Sequence, residues 1–368
     1  MKKNTAILIA ICLFSSIACS AQKHNYKFEV IEVHDGPVLK KGDPGTEDNK
    51  YGFEGGTVFK YKGEYQLFTA ERFDDPILVK MRLAHWKSKD GLTWHRVSTL
   101  FESSGEFTGK DKAASFWSPM PFFNPEENRY NLLYVHYRAK PKDLTGWYLN
   151  YEGRIMRAVS QKKGKGGFGG PYKNVGYILE PDENDGPWVG LQGNDSFFAY
   201  QVGDTWYGFY GSAQTQTVKH PTMPIDTNYP KWTLTLAKAD KLSGPWKKLT
   251  EQGPVEFHER FAENPVITKL KNGLYVAMVD GGGKHFGYSI SEDGMNWSEA
   301  EFIKLQNYTK KWWVNMRTPL GLIPEKDGTY TVFFTAKLEK HDPNKSETGF
   351  AEVGKVKLKL IKNKLNDR

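Results

Sequence analysis

Thr57-Val58-Phe59, the turn pair Gly63-Glu64, the run Tyr65-Gln66-Leu67-Phe68 and then Ser88-Lys89-Asp90-Gly91-Leu92-Thr93-Trp94 form one repeating unit of the chain. It is an apolar strand, a tight turn, an aromatic-led strand, and an Asp-Gly turn closed by tryptophan. The aromatic-led strand returns as Tyr130-Asn131-Leu132-Leu133-Tyr134, Trp206-Tyr207-Gly208-Phe209-Tyr210, Tyr275-Val276-Ala277-Met278-Val279 and Tyr330-Thr331-Val332-Phe333-Phe334. Two of these follow Asn272-Gly273 and Asp327-Gly328, the strongest short-range hairpin signals. Each is preceded by an apolar strand, at Pro121-Phe122-Phe123, Ser196-Phe197-Phe198, Pro265-Val266-Ile267 and Pro319 to Ile323. The second turn recurs as Ser291-Glu292-Asp293-Gly294-Met295-Asn296-Trp297, with weaker counterparts at Ala239 to Trp246 and Gly169 to Tyr172. Five such hairpins, each with outer strands, predict an all-β five-bladed β-propeller of four-stranded antiparallel blades. The aromatics and Asp-Gly pairs indicate the fold and say nothing of the chemistry.

The composition agrees with a folded core: 39% hydrophobic and 26% charged residues over a length of 368. Lys2-Lys3, the apolar run Ala6 to Phe14 and small residues to Ala21 read as an export signal over 1–21, too short to span a membrane. Ser16-Ile17-Ala18-Cys19 resembles a bacterial lipoprotein signal with Cys19 as the lipidated residue, and ordinary cleavage near Ala21 is the alternative. The expected location is therefore the periplasm or cell surface, with any membrane attachment made through that anchor alone. Residues 22–52 read as an extension leading into a propeller over 53–368. The two cysteines, Cys12 and Cys19, both lie in the signal, which excludes cysteine nucleophiles and cysteine zinc sites from the rest. Lys355, Lys357 and Lys359 alternate with apolar residues, as on a protected sheet edge. Without Lys2 and Lys3 the net charge is +6, and no nucleic-acid module is present.

In a propeller the residues just before each first strand and just after each second strand share one face. That rule gathers Glu54, Trp117-Ser118, Asn194-Asp195, Glu263 and Arg317 with Glu71-Arg72, His136, Arg138, Gln214, Asp280 and His285. Carboxylates assembled with Arg, His and amides suit glycosidic chemistry, in which one carboxyl protonates the departing oxygen and another activates water. Trp117 and Trp188 offer rings for sugar faces. Arg72, Arg138 and Arg317 would suit an anionic sugar. No metal signature is present, because His136 and His285 lack ligand-like spacing.

The sequence resembles the five-bladed propeller glycoside hydrolases, the superfamily containing families 43, 32 and 62. The resemblance rests on Phe53-Glu54-Gly55-Gly56, Phe116-Trp117-Ser118-Pro119, Ala262-Glu263-Asn264-Pro265 and the two kinds of tryptophan turn. It implies an exported glycosidase acting on an oligo- or polysaccharide, with an acidic base on blade one, an acidic modulator after the Trp-x-Pro turn of blade two and a glutamic acid donor on blade three. It implies no cofactor beyond a structural Ca²⁺ in the channel. Here Glu54 stands at the blade-one position, Met120 where the blade-two aspartate belongs, and Asn194-Asp195 where the glutamate belongs. The catalytic candidates are Glu54 as base and Asp195 or Glu263 as acid, placed on opposite sides of the ring for an inverting reaction. The competing readings are a non-catalytic glycan-binding surface lipoprotein, a sialidase-like hydrolase and a polysaccharide lyase using His136 or a tyrosine.

Overall fold

Alternating apolar runs separated by tight turns favour pairing between strands adjacent in sequence, so most of the chain folds as successive meanders. The computed structural model describes residues 25–141, 149–182, 185, 189–190, 192–214, 231–252, 255, 257, 261–281, 285–305, 312–337 and 349–362. After β1 (Tyr26–Val33), blade one comprises β2 (Phe53–Tyr61), β3 (Glu64–Glu71), β4 (Arg82–Ser88) and β5 (His95–Glu102). Blade two comprises β6 (Ser115–Asn124), β7 (Arg129–Ala139), β8 (Asn150–Lys163) and β9 (Tyr172–Leu179). Blade three comprises β10 (Asp195–Val202), β11 (Thr205–Gln214), β12 (Lys231–Ala239) and β13 (Lys247–Lys248). Blade four comprises β14 (Glu263–Lys269), β15 (Tyr275–Asp280), β16 (Phe286–Ser291) and β17 (Glu301–Phe302). Blade five comprises β18 (Asn315–Pro324), β19 (Tyr330–Lys337), β20 (Ala351–Lys362) and β1 itself. All pairings within the five sheets are antiparallel, and the innermost strands β2, β6, β10, β14 and β18 meet around a central axis.

Blade five corrects one reading of the sequence. The lysine-bearing strand β20 is not a sheet edge: β1 pairs along it, with Glu29 opposite Lys359 and Glu32 opposite Lys357. Opposite charges across an antiparallel pair favour that register. Phe28 anchors β1, buried edge-on against Tyr288 at 4.9 Å and Tyr330 at 5.4 Å, while its amide donates to the Tyr288 hydroxyl at 3.0 Å. The stretch 22–52 thus contains a blade strand. Its remainder runs back beside β20, where the Val38 amide donates to Val353 O at 2.8 Å, and then to blade one, where Arg82 grips Asp48 through two bonds of 2.5 and 2.7 Å. Pairing with β1 covers the edge that β20 would otherwise expose, and β1 becomes the outer strand of the blade.

The Ser-x-Asp-Gly-x-x-Trp turns lie between third and fourth strands and are pinned at both ends. Asp90 Oδ1 accepts from the amides of Leu92 and Thr93, each at 2.8 Å, and Asp293 does the same for Met295 and Asn296. Trp94 then packs on Phe333 of blade five at 5.4 Å, and Trp297 on Phe209 of blade three at 5.3 Å. Each turn therefore wedges its blade onto the preceding one. Those amide donors hold the Asp90 carboxyl down at about 2. A depressed pKa means that the stabilisation is complete above the unfolded value, about 3.9, and is lost as pH falls through the folded one. In acid unfolding we expect the parent to lose this contribution between pH about 4 and about 2. Asp90→Asn should be less stable at neutral pH and lack that component, and parallel curves for the two proteins would refute the assignment.

Candidate functional site

The site is built by a defect repeated five times. Each innermost strand slips register at its mouth end: between Glu54 and Gly56, Trp117 and Met120, Asp195 and Phe198, Glu263 and Val266, and Met316 and Pro319, with a second slip between Pro319 and Gly321 in blade five. In four of them the slipped residue has positive φ, at Gly55, Ser118, Ser196 and Asn264. A bulge of this kind re-aims side chains, and it brings Glu54, Trp117, Asp195, Glu263 and Arg317 to equivalent positions, one per blade. The next residues form a polar belt across the axis. Ser118 Oγ and Ser196 Oγ donate to Asn264 Oδ1 at 3.4 and 3.0 Å, Asn264 Nδ2 donates to Thr318 Oγ1 at 3.3 Å, and Thr318 Oγ1 donates to Glu54 Oε1 at 2.8 Å. Blade one needs glycine here, since a Cβ on Gly55 would lie 2.9 Å from Ser118 Oγ.

Three carboxyls surround one guanidinium next to this belt. Arg317 Nε lies 3.7 Å from both Glu54 Oε1 and Asp280 Oδ2, and its Nη2 lies 3.8 Å from Glu263 Oε2. Asp280 is opposite Glu263 in the β14–β15 register. Glu263 and Tyr137 both act on the buried Asp195 carboxyl. Burial, followed by the charge of Asp195, pushes the Glu263 carboxyl well above the usual range, against the pull of Arg317. Burial also raises Asp195, while its hydrogen bonds oppose the rise. Two adjoining buried carboxyls cannot both ionise at low cost, which is the physical cause of both upward shifts. Asp195 and Glu263 are thus partners side by side, and Glu54 is tied to Glu263 through Arg317.

The other sequence candidates have different surroundings. Glu71 is fully buried and bonded to Arg82, to Trp86 Nε1 at 2.8 Å and to Arg96 at 3.4 Å. Arg72 is buried and donates to Tyr51 O at 2.6 Å. Arg138 serves Glu152 at 3.1 Å and the carbonyls of Gly109 and Lys110 at 3.0 and 2.7 Å. His136 stacks on Phe116 at 4.4 Å with Nδ1 3.2 Å from Tyr177 OH, and burial lowers its pKa to about 3, so the ring is neutral at physiological pH. Trp117 is partly exposed and donates to Ser115 Oγ at 2.7 Å. The Asn194 side-chain amide is buried and makes no hydrogen bond among the described residues. His285 packs edge-on against Phe302 at 4.5 Å. Trp188, Cys19 and the side chain of Gln214 lie outside the described residues. Met120 is not a mouth residue: it is fully buried among Phe198, Phe209 and Val266, and Trp117 holds the blade-two position equivalent to Glu54.

Among the contributors that escaped the sequence reading are Thr318, Tyr137 and Gln192. Thr318 had a signal, because Trp117-Ser118-Pro119, Glu263-Asn264-Pro265 and Arg317-Thr318-Pro319 share a small polar residue before proline. The other two had none. The belt does not suit the Ca²⁺ that the resemblance implied. Calcium takes 6–8 oxygens, many of them carboxylate, whereas these hydroxyls and the amide are bonded to one another.

No family model matches the sequence, and no curated protein does. Solved structures do match. A structure of the BT0996 RGII complex superposes with a TM-score of 0.63 at 15% identity, over 89% of this protein and 92% of that one. A family 117 glycoside hydrolase from the marine bacterium Zobellia galactanivorans gives 0.57 at 15%, over 91% and 90%. A thermostable family-43 glycoside hydrolase gives 0.52 at 15%, over 89% and 94%. At these identities the likeness is one of fold, and the protein is a five-bladed β-propeller built like those of family 43 and family 117 glycoside hydrolases.

Proposed function

We propose that the protein is an exported glycoside hydrolase that cleaves an oligo- or polysaccharide by single displacement, with Glu263 as general acid and Glu54 as general base. The observation that carries this reading is the gathering of Glu54, Asp280 and Glu263 around Arg317, with the Glu263 carboxyl raised well above its usual range by burial and by Asp195. Glycoside hydrolysis requires a pair of carboxyls whose environments push their proton affinities apart. The proton of Glu263 passes to the glycosidic oxygen as its bond to the anomeric carbon breaks. Water attacks that carbon from the other face and gives its proton to Glu54. Arg317 offsets the negative charge left on Glu263. The glycoside hydrolases among the fold neighbours support the assignment, as does the export-signal pattern of residues 1–21.

The test is incubation of the purified protein with a panel of neutral and uronate-bearing oligosaccharides, following new reducing ends and, by proton NMR, the first anomer released. An inverted anomer is expected. Retained configuration would refute single displacement. Binding without any product would favour the glycan-binding lipoprotein, and an ultraviolet-absorbing unsaturated sugar would favour a lyase.

A further inference from the structure

We infer that Thr318 on blade five is a positioning residue for Glu54, and that Asn264 on blade four sets the direction in which the Thr318 hydroxyl points. The belt around the axis is a chain of hydrogen bonds with a sense of direction. Asn264 Oδ1 takes the hydrogens of both Ser118 Oγ, at 3.4 Å, and Ser196 Oγ, at 3.0 Å. Its amide nitrogen is thereby turned to Thr318 and donates to Oγ1 at 3.3 Å. A hydroxyl has one hydrogen to give. With Asn264 on its acceptor side, Thr318 gives that hydrogen to Glu54 Oε1 at 2.8 Å. All five side chains are buried, so bulk water does not compete for these bonds.

The residue types fit this arrangement. Asn264 has a φ of +51°, a conformation that asparagine adopts several-fold more readily than most residues, and its amide presents an acceptor on one side and a donor on the other. Blade one contributes no side chain to the belt, since Gly55 occupies that position, and the chain of bonds ends on Glu54 of the same blade. A reversed belt would have a different effect. With the Asn264 nitrogen toward the two serines, its oxygen would take the Thr318 hydrogen, and Thr318 could bind Glu54 only by accepting from a protonated carboxyl. The direction present is the one that accompanies a Glu54 carboxylate. Arg317 Nε stands 3.7 Å from the same Oε1, so both contacts hold one oxygen. The other, Oε2, makes no hydrogen bond among the described residues and is the oxygen left for water. The kinetic consequence rests on the glycosidase reading, in which Glu54 is the base: a carboxylate held at one oxygen keeps the other aimed at the attacking water.

The first measurement needs no substrate. Thr318→Val keeps the shape of the side chain and removes its hydroxyl. Infrared spectra of the full-length protein at neutral pH, unlabelled and with ¹³C-glutamate, should show a carboxylate band that differs between the parent and Thr318→Val and shifts with the label. The same comparison made in a Glu54→Gln background should lack it. No glutamate-sensitive difference, or one that survives in Glu54→Gln, overturns the inference. Thr318→Cys, whose thiol is a weak donor, should act in the same direction to a smaller extent and carries the test if Thr318→Val does not fold. With a hydrolysable substrate, Thr318→Val should lower kcat about 10- to 100-fold with KM little changed, and Thr318→Ser, which restores the hydroxyl, should recover turnover to within about 3-fold of the parent. Parental kcat in Thr318→Val, or Thr318→Ser as slow as Thr318→Val, would overturn the positioning role and leave a structural one. Absence of turnover in the parent would defeat the glycosidase reading and leave the infrared result to decide whether Thr318 holds Glu54.

Discussion

Replacing Glu263 by glutamine is expected to lower turnover by about 10² to 10⁴ while leaving the fold intact or stabilising it. Loss of the general acid leaves the departing oxygen unprotonated, and an amide cannot take over that role. The stability effect follows from the direction in which Glu263 is displaced. Its carboxyl is held well above the usual range by burial and by Asp195, so it resists ionisation in the folded protein. A raised pKa means that its contribution is fully present below the unfolded value, about 4.3, and is lost as pH rises through the folded value. The parent should therefore lose stability as pH increases above about 4.3, whereas Glu263→Gln should escape that loss. Turnover assays and melting curves at pH 5 and pH 8 test both halves. A variant with parental turnover would remove Glu263 from the mechanism. One markedly less stable than the parent at pH 8 would contradict the strained-carboxyl account.

Glu71→Ala should do the reverse, costing about 3–5 kcal/mol of stability and leaving the chemistry of folded molecules largely unchanged. Glu71 is fully buried and accepts from three partners at once: Arg82, Arg96 and the indole of Trp86. Arg82 is itself almost completely buried, and removing its carboxylate strands a charge and an indole N–H together. Asp48 would still hold the outer face of that guanidinium. Denaturant unfolding at pH 7 measures the effect. A loss below about 1 kcal/mol would mean that the cluster relaxes, and a fall in turnover without a fall in stability would restore Glu71 to the substrate face.

These two glutamates differ in how far sequence could place them. Both sit at strand ends that the blade pattern assigns to one face, and for Glu263 the assignment led to the carboxyl cluster. For Glu71 it did not, because its role depends on Arg82, which the β3–β4 register sets opposite it, and on Trp86 of the same strand, whose indole reaches it. Arg72 and Arg138 differ from expectation for the same reason: backbone carbonyls of Tyr51, Gly109 and Lys110 reach them first. Met120 looked like the counterpart of a catalytic aspartate by its distance after Trp117, yet the bulge turns it into the core.

The five hairpins were legible because turn chemistry and strand alternation are local: Asp-Gly at a tight turn and a tryptophan after it act within a few residues of chain. The mouth positions followed from them, since antiparallel neighbours return to the same face. What the sequence could not determine is every contact made between blades. The pairing of β1 with β20 joins opposite ends of the chain, and the bond from Gln192 to Tyr137 crosses a seam held by two glycines. Whether Asp195 stands beside Glu263 or across from it likewise depends on how the ring closes. Such contacts depend on the angle and distance at which whole sheets pack, set by the sum of all core side chains and by no short stretch of sequence.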